Sequence, residues 1–273
     1  MQQQGQYLAE LPRHFHALRG PYLKWAARFG QAPEVNLGHF RRAMIGWYEA
    51  RIDEEDPYVG ETDHYGKKVA EVYFTGRIDQ AVLNADRLPI AELGFTTDQN
   101  PLNHLPRPLH LNETQQQMLQ LFQDLGKSCK ELLLMSDYHR LTTTRIGQIL
   151  QLDGQLLEIE DRRRKCLLMV RESWRAGGIT DPTLAPSPVD EELIDRYYAG
   201  ELDTSERWDV EARRPGDPVF RRAMELREDW AGVLTVAGRQ DLMETLLREE
   251  AKYAKKRRMA PAAAPSEVKL SPP

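Results

Sequence analysis

Arg162, Arg163, Arg164 and Lys165 place four positive charges in consecutive positions of a chain whose net charge is −5. Such a run suits phosphate oxygens, because each backbone phosphate it neutralises releases condensed counterions. Just upstream, Thr143, Arg145, Gln155 and Glu158 are of the types that hydrogen-bond to phosphates and base edges: Gln suits adenine, and Glu accepts from cytosine N4. The competing reading of the basic run is a solvated helix end whose charges complement the helix dipole. Arg145 fits either a phosphate or solvent. Because the whole chain is acidic, any nucleic-acid contact has to be regional.

Little other chemistry is available. The carboxylates are spaced as solvated helix faces and caps, and no nucleophile, glycine-rich phosphate loop or catalytic signature accompanies them, so neither enzyme activity nor a cofactor is expected. The seven histidines are scattered, and His14 and His16 fall on different sides of a helix, which argues against a metal site. Cys129 and Cys166 are the only cysteines and lie in apolar helical patterns, which predicts buried core thiols. No run of about 18 apolar residues occurs. The Gln-rich start has no basic segment followed by an apolar one. No membrane is expected, and a cytoplasmic location follows.

The elements that must position these residues are helical. With 273 residues and 41 % hydrophobic content the chain can build real cores. Phe15, Leu18, Tyr22, Trp25 and Phe29 recur at helical steps between Leu11 and Gly30, and Phe40, Met44, Trp47 and Tyr48 do so between Leu37 and Arg51. These two stripes can pack on each other. An acidic loop follows, then a helical stretch from Lys67 to Asp86, which Gly76 weakens by about 1 kcal/mol. Residues 10–88 read as a helical domain and 89–111, with four prolines, as a linker.

Asn112 with Gln115, and Ser128 with Glu131, are capping-box pairs that open the next unit, 112–176. A short helix from Thr142 to Leu150 has Ile146 and Ile149 inward, and Gly147 is small enough for a neighbouring helix to approach. After the turn QLDG, with Asp153 as cap, a longer helix runs from Gln155 to Trp174. This is the helix-turn-helix pattern, in which the second helix enters the major groove. Residues 177–188 form a second linker. The module 189–258 has caps at Asp203 and Asp217, a stop at Gly200 and a last helix from Gln240 to Arg258. The tail 259–273 reads as disordered. The expected fold class is all-α and multi-domain, with a helix-turn-helix domain.

The segment LFQDLGKSCKELLLMSDYHRLTTTRIGQILQL followed by RRRKCLLMVRE resembles the promoter-reading domain of extracytoplasmic-function sigma factors of RNA polymerase. HFHALRGPYLKWAARFG and FRRAMIGWYEARI are similar to the two core-binding helices of that family. The resemblance implies RNA polymerase core and double-stranded promoter DNA as partners. It sets Arg41, Arg42, Trp47 and Glu49 against polymerase, and Tyr73, Arg77 and Arg87 near the melted strand. The pattern DEELIDRYYAGEL is similar to anti-sigma modules, which implies a regulator, tethered in the same chain or separate. Glu158, Glu160 and Asp161 depart from easy DNA binding, since carboxylates oppose counterion release. A degenerate adaptor that binds polymerase or another sigma factor, and a dimeric helix-turn-helix repressor, are the alternatives.

Overall fold

The computed structural model describes residues 4–27, 32–53, 111–152, 154–180 and 185–259, and all statements below concern these. The stretch 67–86 with Tyr73, Arg77 and Arg87, nearly all of the 89–111 linker, Asp153 and the tail beyond 259 lie outside them, as do the side chains of Trp25 and Trp47.

Among the described residues the structure is helical, with no strand. The elements are α1 (Gln4–Ala26), α2 (Pro33–Asp53), α3 (Glu113–Asp124), α4 (Lys127–Leu133), a π-helical turn (Leu134–Tyr138), α5 (Thr143–Leu150), α6 (Leu156–Ala176), α7 (Pro188–Ala199), α8 (Thr204–Arg213) and α9 (Pro218–Met259).

The local signals explain most of the boundaries. Asn112 caps α3 and Asp203 caps α8, each in a reciprocal capping box, with Gln115 and Glu206 returning the bond. Gly200 ends α7 in the left-handed conformation at φ 74°. Asp217 accepts from the Phe220 amide at 3.0 Å, and Pro218 stands at the first position of α9. The capping box expected at Ser128 does not form. α4 starts at Lys127 behind Gly126, which places Ser128 inside the first turn, and no side chain caps this helix.

The stripes of α1 and α2 do pack on each other. Phe15 and Phe40 meet with ring centroids 5.0 Å apart, and Leu11, Met44 and Tyr48 are fully buried beside them. This core is continuous with Met118 and Phe122 of α3, Leu133 of α4, Ile146 of α5, Ile159 and Trp174 of α6, and Trp230 and Leu246 of α9. A smaller core joins Ile194, Leu202, Val210, Phe220 and Met224.

The largest departure from expectation is α9. The helix expected to begin at Gln240 is the last half of a 42-residue helix, which spans about 63 Å. Its apolar stripe of Phe220, Met224, Trp230, Val233, Leu234, Ala237, Leu242 and Leu246 runs through Gly232 and Gly238 without a break. Each glycine weakens helix propensity by about 1 kcal/mol. Burial of that stripe outweighs it, since a fully buried Leu or Phe contributes about 1.5–3 kcal/mol. Gly238 also has a specific reason to be there: a Cβ on it would lie 2.1 Å from the Tyr138 ring. The π-turn and α9 thus approach backbone to ring, which only glycine permits.

Cys129 and Cys166 are not free thiols. They form a disulfide between α4 and α6, with Cα atoms 5.5 Å apart. Their pairing has a tertiary cause, because α4 and α6 pack side by side and bring together two residues 37 positions apart. A reducing compartment would open this bond.

Candidate nucleic-acid interface

α5 and α6 are held against each other by a small set of contacts. Thr142 caps α5, its side-chain oxygen accepting from the Arg145 amide at 3.3 Å. The chain then reverses through Gln151 at φ 57° and Gly154 at φ 82°. Gly147 allows the close crossing: a Cβ there would stand 3.1 Å from Ile159 Cδ1 and 3.3 Å from the Leu152 carbonyl oxygen. Ile146 and Ile159 fill the space between the helices. Ile149, expected inward, is 44 % exposed, because the left-handed turn at Gln151 ends α5 before that side meets α6.

The expected contact residues divide by which face of α6 they occupy. Gln155, Glu158, Arg162, Arg164 and Lys165 are exposed, and Thr143 and Arg145 on α5 are half-buried. Arg145 donates to Gln148 Oε1 at 2.8 Å. Arg163 turns inward. It donates to Asp137 at 3.0 Å, and Arg227 of α9 donates to the other oxygen of the same carboxylate at 3.2 Å. Asp137 is 5 % exposed and also accepts from Ser136 Oγ at 2.7 Å, so a buried carboxylate is matched by two guanidiniums and a hydroxyl. Arg163 is therefore committed to this junction.

On the outer face the charges pair along the helix itself, Glu158 with Arg162 and Asp161 with Lys165 at 2.7 Å. The hydrogen bond from Lys165 holds the Asp161 carboxyl below its usual range. Beside them stand exposed apolar side chains, Leu156 and, at 82 % exposure, Leu157. This outer face sets Arg162, Arg164 and Lys165 next to an apolar tip.

The residues expected to face polymerase are also divided. Arg41 donates to Glu250 of α9 through Nε at 2.9 Å. Glu49 accepts from Arg239 at 2.7 and 2.9 Å and from the Tyr138 hydroxyl at 3.0 Å. Arg41 thus binds α9, and Glu49 binds both α9 and the π-turn, while Arg42 is exposed.

Two residues that sequence reasoning passed over, Tyr138 and His139, complete the junction. His139 is buried, and its Nδ1 lies 2.7 Å from the Tyr48 hydroxyl. Burial pushes its pKa down to about 4, so the ring is neutral at pH 7, and burial pushes the Tyr48 and Tyr138 hydroxyls up. Their signal in the sequence was only an aromatic and a histidine following a helical stripe. Among the described residues no group of three or more His, Cys, Asp and Glu is placed to hold a metal ion, and no helix is long and apolar enough to cross a membrane. Compared with known proteins, the chain matches no family model, no curated protein and no solved structure.

Proposed function

We propose that this protein is a sigma-factor-like transcription initiation protein that bridges RNA polymerase core to promoter DNA, with α5 and α6 acting as its helix-turn-helix. The observation that carries the reading is the close crossing of α5 and α6 at Gly147, which buries Ile159 but leaves Gln155, Leu157, Glu158 and the basic edge of α6 exposed. Arg162, Arg164 and Lys165 make the phosphate contacts, and Thr143, Arg145, Gln155 and Glu158 lie toward the groove. Arg163 is left out of the contact set because Asp137 holds it. Polymerase is engaged through the exposed parts of α2, Arg42 among them.

The second reading is an adaptor that binds polymerase or another sigma factor without reading a promoter. Leu157 favours it, since a leucine so exposed at the start of a recognition helix suits a protein partner better than a phosphate. So do the pairs Glu158–Arg162 and Asp161–Lys165, which satisfy two bases within the chain.

Two measurements separate the readings. Co-purification with core polymerase is expected for the first, co-purification with core polymerase or with another sigma factor for the second, and absence of any such complex at low salt would sink both. A duplex titration across salt concentrations then decides between them. Arg164→Ala with Lys165→Ala should lower the salt slope by about 1 for each phosphate contact removed. Equal affinity and slope for variant and parent leave only the adaptor.

A further inference from the structure

The described residues leave eight buried side-chain nitrogen or oxygen atoms without a hydrogen-bond partner, and five of them belong to residues that line one cavity between α6, α7 and α9. They are Trp174 Nε1, Trp230 Nε1, Arg227 Nε, Thr180 Oγ1 and Asp195 Oδ1. Trp174 is 6 % exposed and Trp230 1 %, and their rings meet edge to face with centroids 5.4 Å apart. Asp195 accepts from Arg171 at 2.7 Å through Oδ2, while its Oδ1 lies 3.5 Å from Arg227 Nε as an ion pair without a hydrogen bond. Buried polar atoms are normally satisfied, and each one left bare costs free energy. Such a concentration in one place marks either a pair of bound waters or a site for a ligand group.

We propose that this cavity binds a small molecule through a neutral head in which a hydrogen-bond acceptor and a donor stand side by side, the chemistry of a primary amide. The indole N–H groups and the Arg227 Nε–H can only donate and need the acceptor, whereas Asp195 can only accept and needs the donor. Thr180 serves either. A head bearing acceptors alone would satisfy the indoles but leave Asp195 Oδ1 with only its long 3.5 Å contact to Arg227 Nε, and a cationic head would leave both indoles bare. The cavity is about 50 Å³, and a benzene-sized molecule needs roughly 150 Å³, so it encloses the head while an apolar stem lies toward the side open to solvent. Ala185, Pro186 and Ala223 supply apolar lining for that stem.

The test is an indole N–H nuclear magnetic resonance titration of the full chain with benzamide. The five tryptophans give one indole signal each, and Trp174→Phe and Trp230→Phe identify the two that matter. Benzamide should shift those two saturably, with a dissociation constant on the order of 1 mM, as expected for a fragment of this size. The exposed Trp208 should stay still. Benzoate and toluene should bind at least about tenfold more weakly, since each forfeits a hydrogen bond in a buried site. Thr180→Val, with its melting temperature checked to show that the fold is kept, should weaken benzamide several-fold. If neither signal moves at high benzamide, the cavity holds water only. If toluene matches benzamide, the cavity is a plain apolar slot, and if all five signals move alike, binding is non-specific. Each of these results overturns the proposal.

Discussion

The two faces of α6 are held by different kinds of interaction. Its inner face contributes Arg163 to the buried carboxylate of Asp137, which also binds Arg227 from 90 residues away, and Cys166 to the disulfide with α4. Its outer face carries i,i+4 pairs between residues on the same turns, Glu158 with Arg162 and Asp161 with Lys165. Pairs of the second kind are screened by water and contribute only a few tenths of a kcal/mol. The inner contacts join segments far apart in the chain, and removing one partner strands another in a poorly solvated place. One run of four bases thus contains a structural arginine and three surface cations, distinguished only by where α6 turns them.

The comparison predicts a graded series of effects. Asp137→Ala should cost the most, about 3–5 kcal/mol in denaturant unfolding, because Arg163 loses its carboxylate and Arg227 keeps only its 3.5 Å contact to Asp195. A cost below about 1 kcal/mol would mean that water already satisfies the two arginines and that the junction is not buried in effect. Opening the disulfide, by dithiothreitol or by Cys129→Ser with Cys166→Ser, should come next. The closed loop spans 37 residues, which in the chain-entropy model corresponds to about 4 kcal/mol as an upper value. Equal midpoints for oxidised and reduced protein would show that the link adds nothing to the packing of α4 on α6.

Gly238→Ala probes the same junction from α9. The added methyl group meets the Tyr138 ring, and the shift it forces should cost about 1–3 kcal/mol. Tyr138→Ala in the Gly238→Ala background should recover part of that clash, which a double-mutant cycle would register as coupling. The same Tyr138→Ala change removes the hydroxyl that donates to Glu49, so the recovery will be incomplete.

The pH dependence of His139 is smaller. Its folded pKa lies near 4, below the ordinary value of 6.5, so the unfolded chain binds the extra proton first as pH falls. The stability this group supports is complete above about pH 6.5 and is lost progressively as pH falls toward 4. Between pH 7.5 and 5.5 the loss should be about 1 kcal/mol. Unfolding midpoints of the parent and of His139→Gln over that range give the difference, and parallel curves would refute a buried neutral ring. Smallest of all, Asp161→Asn on the outer face should leave the denaturant unfolding midpoint unchanged. A lowered midpoint would erase the contrast between the two faces.

Much of the local structure was legible in the residues themselves. Asn112 with Gln115, Asp203 with Glu206, Asp217 before Pro218, and Gly200 mark helix ends, because a cap is a contact between neighbours in sequence. The stripes through Phe15, Phe40, Met44 and Tyr48 foretold the packing of α1 on α2, since a helical period depends only on spacing. Gly147 as the point of approach between α5 and α6 was legible for the same reason.

What only the tertiary structure decided involves partners distant in the chain. The pairing of Cys129 with Cys166, the inward turn of Arg163 and Glu49, and the exposure of Ile149 each depend on which helix lies beside which. The unbroken course of α9 belongs with them, because its glycines weaken the helix locally while the other helices packed along it repay that weakness many times over. Sequence by itself determined where the capped helices α3, α5, α8 and α9 begin and what each face is made of. Long-range packing determined which charges stayed exposed, because burial, unlike capping or periodicity, is a property of the assembled chain.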